Sequence, residues 1–486
     1  MNRPSQNATP SAIPLVVDLD LTLISTDSLW EMCFNCLRKD LRALFLLPLW
    51  AAKGPLHLKN ELTKHVHLAP YNLPYRPEVL EYINTAIAER RIVVLATAAH
   101  RSIAQSVSNH LELFDYVLAT DEVRNLKGSS KADAIETLLG HSDYEYLGDS
   151  KADIPIWARC SQASVVADTE KAAKKLLSLA QKDNPTKIFP TQNAKWPTLF
   201  KGLRIYQWVK NALLFLPLLL SHQFTNLQGF IQTSLAFLAF SVVASSGYLI
   251  NDLLDLEADR QHPKKKHRPL ASGALSIPKA LSIIPLLLCG AASLCFFLPP
   301  AFAGLLLLYF ITTQTYSFVL KKLAIIDVIV LAGLYTLRIL AGAAASNTSA
   351  STWLLTFSLF FFTSLAFLKR RTEIAKMTDD GLRSLKRRGY DSQDAPLLTI
   401  AGIAAGYTSV LVLGLYLNSP KVLTLYANPS TIWLILPILL YWLTRVWLLG
   451  QRGQMDHDPV VFALGDRVSH YSGILCIIII LLAIME

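Results

Sequence analysis

The sequence contains few cysteines and few charged residues, and both facts limit the classes of protein to which it can belong. Only six of its 486 residues are cysteines, and only Cys33 and Cys36 have a suggestive spacing. A CxxC pair without a second pair, inside an apolar helical pattern, is more typical of packing than of metal or redox chemistry. Charged residues make up 17% and apolar residues 52%, and the two are segregated along the chain. This composition indicates a soluble part joined to a membrane part.

The N-terminus lacks a signal peptide, because its first residues are polar. We therefore expect the first domain to stay in the cytoplasm. The net charge is +10, which suits either nucleic acid or an anionic membrane face. Because the basic residues lie in loops between apolar runs, their distribution favours the membrane and not nucleic acid. We expect a first domain over residues 1–190, a linker over 191–200 and a membrane domain over 201–486.

The first domain contains four polar motifs, each of which lies at the end of an apolar run or beside a glycine. Their residues are Asp18 and Asp20, then Thr97, then Lys131, and last Asp149 and Asp153. Helical patterns at residues 76–89 and 132–139 alternate with the apolar runs, which predicts an α/β fold with a doubly wound parallel sheet. Ligands bind such sheets at the carboxyl ends of the strands. All four motifs lie where that rule predicts a site.

This ordered set of motifs resembles the haloacid dehalogenase (HAD) superfamily, whose members are mostly phosphatases. The resemblance implies that Asp18 is the nucleophile, Asp20 the general acid and base, and Thr97 and Lys131 the phosphate-binding residues. The implied Mg²⁺ ligands are Asp18, Asp149 and Asp153. These residue types suit phosphoryl transfer, because a carboxylate attacks phosphorus while a metal and a lysine offset negative charge. The alternative is a decayed domain kept as a scaffold.

An insertion over about residues 28–75 separates the first two motifs and is expected to form a helical cap. Its apolar run at residues 41–52 is too short to cross a bilayer. That run either lies in the membrane surface or forms an ordinary buried cap helix. The sequence does not decide between the two.

The second half of the sequence contains nine apolar runs that are each about long enough to cross a bilayer. They lie near residues 208–224, 228–250, 279–297, 301–320, 323–345, 352–368, 397–417, 431–449 and 470–485. These runs predict an all-α, multi-pass membrane domain of nine transmembrane helices. With the N-terminus inside, nearly all loop Lys and Arg residues face the cytoplasm. We therefore expect an inner-membrane protein whose active sites open to the cytoplasm.

A cluster of acidic residues follows the second apolar run. On a continuous helix Asn251, Asp255 and Asp259 would lie at i, i+4 and i+8 on one face, with Asp252 beside them. Such closely spaced carboxylates suit Mg²⁺, which takes its remaining oxygen ligands from water and substrate phosphates. A basic run that would bind the rest of the anion follows, with Arg260, His262, Lys265 and Arg268. The alternative is a solvated, charged helix end.

The string NDxxDxxxDRxHPxKxxRPLASG at these positions resembles the first Asp-rich motif of the UbiA superfamily of intramembrane prenyltransferases. Its DRxHPxKxxRP ending is most similar to the branch that makes polyprenyl-phosphate phosphoribose. The resemblance implies one or two Mg²⁺ ions in the membrane site. Where aromatic prenyltransferases of this superfamily carry a second DxxxD motif, this sequence has Lys369 and Arg370. A basic second motif suits a donor with an extra phosphate.

Other polar residues within the apolar half are candidates for the same site, because a charge at membrane depth normally faces a cavity or a partner. They are Lys210, Asn211, Arg338, Tyr390, Asp466 and Arg467. For Arg338 a purely structural pairing with Asp327 is the alternative.

These observations leave three functional hypotheses. The first is transfer of 5-phosphoribose from phosphoribosyl diphosphate to a polyprenyl phosphate, followed by removal of the 5-phosphate by the HAD-like domain. The second is an aromatic polyprenyltransferase whose HAD-like domain acts on an unrelated phosphomonoester. The third is a membrane-anchored carrier or scaffold, which the two complete sets of catalytic residues disfavour. The sequence does not determine polyprenyl length or whether the chain forms an oligomer.

Overall fold

The computed structural model describes residues 13–40, 42–182, 184–191, 196–222, 226–379, 384–385, 389–455 and 458–484. The chain divides into two compact units. One contains Met1–Leu203 together with Tyr248–Ile284, and the other contains Arg204–Gly247 together with Pro285–Glu486. The acidic cluster predicted for the membrane domain therefore belongs to the same unit as the N-terminal sheet.

A six-stranded parallel sheet forms the centre of the first unit. Its strands are β1 (Leu15–Val17), β2 (Val93–His100), β3 (Tyr116–Thr120), β4 (Glu145–Gly148), β5 (Gln162–Ala167) and β6 (Ile188–Pro190). They lie in the order β3-β2-β1-β4-β5-β6. The order reverses beside β1, which is where a doubly wound sheet opens a crevice for ligands. The predicted parallel sheet is thus confirmed.

Helices cover both faces of the sheet because alternate strand residues point to opposite sides. Leu15 and Val17 pack in one apolar core, and Val16 packs in the other. The helices of this unit outside the acidic segment are Ser28–Lys39, Ala43–Ala52, Pro55–His65, Pro77–Ala88, Arg101–Leu111, Ser129–Leu139, Ile154–Trp157, Glu170–Leu179 and Trp196–Gly202.

The first three of these helices form the cap that the sequence predicted between the first two motifs. In Ala43–Ala52, Leu47 and Trp50 pack against the core, whereas Leu44, Phe45 and Leu49 are 60, 73 and 60% exposed. The helix therefore packs against the cap core with one face and leaves an apolar face exposed. Contact of this helix with a membrane stays a prediction.

Eight described helices are long and apolar enough to cross a bilayer. They are Leu227–Leu254, Ile277–Cys295, Pro300–Phe318, Ile326–Ala345, Thr352–Lys376, Ser392–Leu417, Pro429–Gln451 and Arg467–Ile484. The first predicted span is instead the shorter apolar helix Ile205–Leu220, whose first part, Ile205–Phe215, is a 3₁₀-helix. The structure thus shows a multi-pass membrane domain with one spanning helix fewer than predicted among the described residues.

Short elements complete the chain. Helix Leu256–Gln261 and the 3₁₀ turn Lys265–His267 follow the second apolar helix. Helices Pro420–Leu425 and Pro459–Gly465, together with a two-residue strand pair of Ser384–Leu385 and Tyr390–Asp391, lie in the second unit.

Candidate active sites

The first candidate site lies at the carboxyl ends of β1 and β4, which are neighbours in the sheet. Asp18 follows β1, Asp149 follows β4, and Asp153 ends the 3₁₀ turn Lys151–Asp153. One carboxylate oxygen of each residue lies within 4.8 Å of the other two. Among the described residues this is the one group of three or more acidic, His or Cys side chains with such spacing. The structure thus brings together the three residues predicted to bind Mg²⁺.

A buried lysine contacts these carboxylates. Lys131 Nζ lies 3.0 Å from Asp18 Oδ2 and 3.4 Å from Asp153 Oδ1, and it donates to the Tyr146 hydroxyl at 2.9 Å. That hydroxyl in turn donates to Asp153 Oδ1 at 2.7 Å. Lys131 lies near the N-terminus of helix Ser129–Leu139, where the helix dipole also favours an anion. The arrangement can hold a phosphoryl group beside Asp18.

The electrostatics of the three carboxylates fit a divalent cation. Burial, followed by the neighbouring charges of Asp153 and Asp18, raises the pKa of Asp149 well above its usual value. Burial also raises the pKa of Asp18 to about 6, although Lys131 opposes this shift. Negative charge is therefore concentrated here beyond what one lysine offsets. Oxygen ligands of this kind suit Mg²⁺.

Asp20 has a different environment from Asp18. Asp20 lies in the turn after β1, and Leu21 after it has a left-handed conformation with φ of 57°. The backbone N–H of Ser28 donates to Asp20 Oδ1 at 2.8 Å. Burial, followed by the charge of Asp27, raises the pKa of Asp20 to about 7. A carboxyl group with this pKa can give and take a proton near neutrality.

Thr97 does not end its strand, as the sequence predicted, but lies inside β2, which continues to His100. The register between β2 and β3 shifts between Thr97 and His100. The buried hydroxyl of Thr97 accepts a hydrogen bond from Ala99 N–H at 3.0 Å. Strand β2 thus continues past Thr97 with an irregular pairing to β3.

A buried lysine of the cap, Lys59, was not predicted from the sequence. Lys59, on helix Pro55–His65, donates to Ala98 O at 2.6 Å and to Asn125 Oδ1 at 3.0 Å. Burial lowers the pKa of Lys59, and the nearby charge of Asp20 opposes this effect. The one signal in the sequence is that Lys59 shares the buried face of its helix with Leu62.

In the acidic segment, an arginine side chain contacts two of the carboxylates. Helix Leu227–Leu254 ends before Asp255, and the next helix begins at Leu256. Arg268 Nη1 lies 3.1 Å from Asp252 Oδ1 and 2.5 Å from Asp259 Oδ2. Burial raises the pKa of Asp259, and Arg268 opposes that rise. Two of the predicted metal ligands thus converge on one cation.

The other predicted ligands of this segment form a separate pair, in which Asn251 Nδ2 donates to Asp255 Oδ2 at 3.2 Å. His262 Nδ1 accepts from the backbone N–H groups of Lys264 and Lys265, so it closes a turn. Lys265 itself is exposed. Metal binding by the acidic residues stays a prediction.

Arg260 serves a role that the sequence did not predict. Its guanidinium lies 2.6 and 3.1 Å from the two carboxylate oxygens of Glu31, and its Nε donates to Ala271 O at 2.9 Å. Both charged side chains are buried, at 8 and 3% exposure. Arg260 thus forms a buried ion pair with cap helix Ser28–Lys39, and substrate binding by Arg260 stays a prediction.

In the second unit, two lysines share one carboxylate. Lys210 Nζ and Lys369 Nζ lie 3.0 and 2.8 Å from Asp458 Oδ2. Although burial opposes it, Lys369 and Lys210 hold the pKa of Asp458 well below its usual range. An apolar cavity of about 510 Å³ is lined by Lys210, Phe361 and Trp442 among others. A net positive charge therefore lies at the wall of an apolar space.

Arg370 and Tyr390 belong to a buried network. Arg370 Nε lies 2.5 Å from Asp327 Oδ2, and its Nη1 lies 2.5 Å from Glu373 Oε2. Tyr390 donates to Asp327 Oδ1 at 2.5 Å. Arg370 is buried at 1% exposure. These contacts indicate a structural role for both residues, where the sequence suggested substrate binding.

Arg338 does not pair with Asp327, so that alternative is wrong. Its Nε donates to Asn211 Oδ1 at 2.9 Å and its Nη2 to the Tyr309 hydroxyl at 3.0 Å. The guanidinium also lies 5.3 Å from the ring centroid of Tyr335. The structure thus brings Arg338 and Asn211 together, as expected for residues of one site.

The last two candidates lie near the start of the final helix. Asp466 accepts from Arg445 at 2.7 and 3.0 Å and from Ser469 N–H at 2.8 Å. Burial opposes the effect, but Arg445 and Ser469 lower the pKa of Asp466. Arg467 begins helix Arg467–Ile484 with an exposed side chain. Asp466 therefore orders the helix start.

Comparison with known proteins identifies both parts of the chain. The UbiA prenyltransferase family matches residues 213–472, and the haloacid dehalogenase-like hydrolase family matches residues 15–157. Uncharacterized protein y4nM of Sinorhizobium fredii is 36% identical over 468 residues, covering 95% of this chain and 89% of that protein. Decaprenyl-phosphate phosphoribosyltransferase of Mycobacterium tuberculosis is 30% identical over 222 residues, covering 44% of this chain and 72% of its own.

Among solved structures, a UbiA homolog from Archaeoglobus fulgidus bound to GPP and Mg²⁺ aligns with a TM-score of 0.44 and 15% identity. It covers 58% of this chain and 99% of that chain. The family match spans more than half of the sequence. The chain is therefore an enzyme of the UbiA prenyltransferase family that carries an N-terminal haloacid dehalogenase-like domain.

Proposed function

We propose that the chain is a bifunctional enzyme. Its membrane domain transfers 5-phosphoribose from phosphoribosyl diphosphate to a polyprenyl phosphate, and its HAD-like domain then removes the 5-phosphate. The names of several relatives support the first step, since they are decaprenyl-phosphate phosphoribosyltransferases with 28 to 33% identity to this chain. The observation that carries the proposal is the pair Lys210 and Lys369 on Asp458, beside an apolar cavity.

This arrangement suits a lipid phosphate. Two ammonium groups facing one carboxylate leave one positive charge for a phosphate oxygen, and the apolar cavity offers space for the first part of a polyprenyl chain. An aromatic prenyltransferase would use such a charge and cavity for its prenyl diphosphate. Lys369 and Arg370 disfavour that alternative, because aromatic prenyltransferases of this superfamily carry the acidic residues of a second DxxxD motif there.

The transfer step requires positioning more than acid–base chemistry. An oxygen of the lipid phosphate forms a bond to the anomeric carbon of phosphoribosyl diphosphate, while the bond from that carbon to diphosphate breaks. The lipid phosphate is already an anion, so no strong base is needed. Asp252 and Asp259 would hold Mg²⁺ near the diphosphate, and Arg268 between them would bind its oxygens. Bound Mg²⁺ would offset charge on the leaving group.

The phosphatase step follows from the first site. The Asp18 carboxylate attacks the 5-phosphate while Lys131 holds its oxygens. Asp20 gives its proton to the departing ribose oxygen, and then takes a proton from the water that hydrolyses the aspartyl phosphate. Inorganic phosphate and polyprenyl-phosphate ribose are the products. We place both sites at the cytoplasmic face of an inner membrane, because the basic loops are expected on that side.

Asp18→Asn tests the coupling of the two steps. This variant lacks the nucleophile but keeps the membrane domain, so we expect membranes supplied with phosphoribosyl diphosphate to accumulate lipid-linked ribose 5-phosphate. Mass spectrometry of the lipid products is the measurement. Asp143→Asn, at an exposed turn, is the matched control and should yield the dephosphorylated lipid. Identical lipid products from Asp18→Asn and the native enzyme would show that the HAD-like domain has another substrate.

Asp255→Asn separates the first step from the second. If the acidic segment serves transfer, this variant forms no lipid product and still releases phosphate from ribose 5-phosphate. Undiminished transfer would remove Asp255 from the mechanism. Prenylation of an aromatic acid by the native enzyme would instead favour the aromatic prenyltransferase hypothesis.

A further inference from the structure

A cavity of about 370 Å³ is lined in part by Asp149, and the reactions described above place no part of a substrate in it. Asp149 lines it on one side, and Arg76, at the end of the cap, lines it on another. Ser272 and Gly273, from the segment that follows the acidic cluster, complete its wall. All these residues belong to the same compact unit.

Arg76 is the unusual residue of this cavity. Its side chain is 9% exposed, and its Nη2 donates to Leu21 O at 3.3 Å. Its Nε is buried and has no hydrogen-bond partner. Buried donors are nearly always paired in folded proteins, so an unpaired one at a cavity wall indicates an acceptor on a ligand.

The charges around the cavity define which acceptor fits. Asp149, Glu78 and Asp168 also line it, but Asp149 belongs to the metal-binding group and Asp168 accepts from Thr191. Glu78 is exposed to solvent. Arg76 is the one cation among the described residues that line the cavity, and its Nε has no hydrogen-bond partner. Guanidinium donors match phosphate oxygens in geometry and charge.

We propose that this cavity binds a second phosphate of the phosphatase substrate, a phosphodiester at the anomeric carbon, through the Nε of Arg76. This inference rests on the proposed function, in which the 5-phosphate lies at Asp18 while a phosphodiester links the same ribose to the lipid. Ser272 and Gly273 line the same cavity, along which the chain that continues from the phosphodiester would pass. Arg76 then selects lipid-linked ribose 5-phosphate over free sugar phosphates.

The test compares three substrates with purified full-length protein. They are ribose 5-phosphate, the same sugar with a methyl phosphodiester at the anomeric carbon, and the same sugar with a farnesyl phosphodiester there. For Arg76→Gln we expect kcat/KM to fall about 10- to 100-fold with both diesters, as is typical for loss of a hydrogen bond to a charged group. With ribose 5-phosphate it should stay near the native value. Arg90→Gln, an exposed arginine before the start of β2, is the matched control and should change none of the three.

The outcomes separate this inference from the proposed function. An equal fall with all three substrates would mean that Arg76 only supports the fold, which overturns the inference and leaves the proposed function intact. A fall confined to the farnesyl compound would show that Arg76 does not recognise the phosphate, and would also overturn it. If the native enzyme does not remove the 5-phosphate from either diester compound, the proposed function is overturned instead. Arg76→Lys keeps the charge without Nε and should show a smaller fall than Arg76→Gln, which provides a second reading if the glutamine variant is unstable.

Discussion

Asp20 and Asp27 are neighbouring carboxyl groups, and the charge of Asp27 contributes to the raised pKa of Asp20, the proposed general acid. Asp27 caps helix Ser28–Lys39 through the N–H groups of Leu29 and Trp30, so it cannot move away from Asp20. Burial is the larger cause of the raised pKa of Asp20, and the charge of Asp27 is the next. A residue that orders a helix therefore also adjusts the acid.

We predict that Asp27→Asn moves the alkaline limb of the phosphatase pH profile to lower pH. In the proposed phosphatase step Asp20 gives its proton to the departing ribose oxygen, so we expect activity below its pKa of about 7 and loss of activity above it. Removing the Asp27 charge lowers that pKa, while asparagine keeps the helix cap. The measurement is kcat/KM for ribose 5-phosphate against pH, with Asp143→Asn as control. An unmoved alkaline limb would mean that Asp27 does not influence the acid.

At the scale of single residues, the sequence predicted the phosphatase carboxylates well, because strand-end positions in a parallel sheet converge irrespective of detail. Asp18 and Asp149 follow that rule directly, and Asp153 joins them from the turn after β4. Lys59 could not be found in this way, since its place depends on how the cap packs. Arg260 was assigned to substrate because its partner, Glu31, is 229 positions earlier in the chain.

Among the elements, the segment after the acidic cluster packs against the turn that follows the first motif. Ser25 Oγ donates to Ser272 O at 2.9 Å. Gly273 has φ of +77°, and a Cβ atom there would overlap Ser25. Glycine is required here on both counts, because other residues are strained at this φ and there is no space for a side chain.

We predict that Gly273→Ala lowers thermal stability and separates this segment from the phosphatase turn. Strain in the left-handed region adds about 1 kcal/mol, and the overlap with Ser25 adds to it. Gly290→Ala, in helix Ile277–Cys295, is the control, because nothing lies within 4 Å of its added Cβ. Its stability should be unchanged or slightly higher. Thermal unfolding in detergent distinguishes the two, and equal midpoints would contradict the packing described here.

The sequence predicts the long apolar helices well and their ends less well. Eight of the nine apolar runs correspond to helices long enough to cross a bilayer, because hydropathy depends on the number of apolar residues. It also predicted a full span near residues 208–224, where the chain instead forms a 3₁₀-helix over Ile205–Phe215. Arg204, just before it, has a left-handed φ of 52°. Apolar periodicity does not report such a change in backbone path.

For the whole molecule, the ion pair between Glu31 and Arg260 joins two stretches that the sequence assigned to different domains. Breaking a buried pair by removing one partner typically costs about 3 to 5 kcal/mol, because the other charge stays buried. The Thr26 hydroxyl also donates to Glu31 Oε1, at 2.7 Å. The carboxylate is thus held in place on both sides.

We predict that Glu31→Gln has different effects in two settings. In the full chain it should lower the stability of the N-terminal unit, because Arg260 loses its partner. In a fragment that ends at residue 203, Arg260 and the segment that packs against Glu31 are absent, so the same change should leave the free energy of unfolding nearly unchanged. Chemical denaturation followed by intrinsic fluorescence measures both. Glu89→Gln, at an exposed position after helix Pro77–Ala88, is the control. An equal loss of stability in both settings would contradict the pairing.

The Glu31–Arg260 pair also has a consequence for the evolution of the gene that encodes both parts of the chain. A gene divided between the hydrolase and membrane sequences would encode two polypeptides, each with one charge of the pair open to solvent. Neither charge would have its counterpart until the two polypeptides met, so the division would remove the reason to keep Glu31 and Arg260 together. Lineages with separate genes should therefore vary at both positions, and lineages with the fused gene should keep the pair.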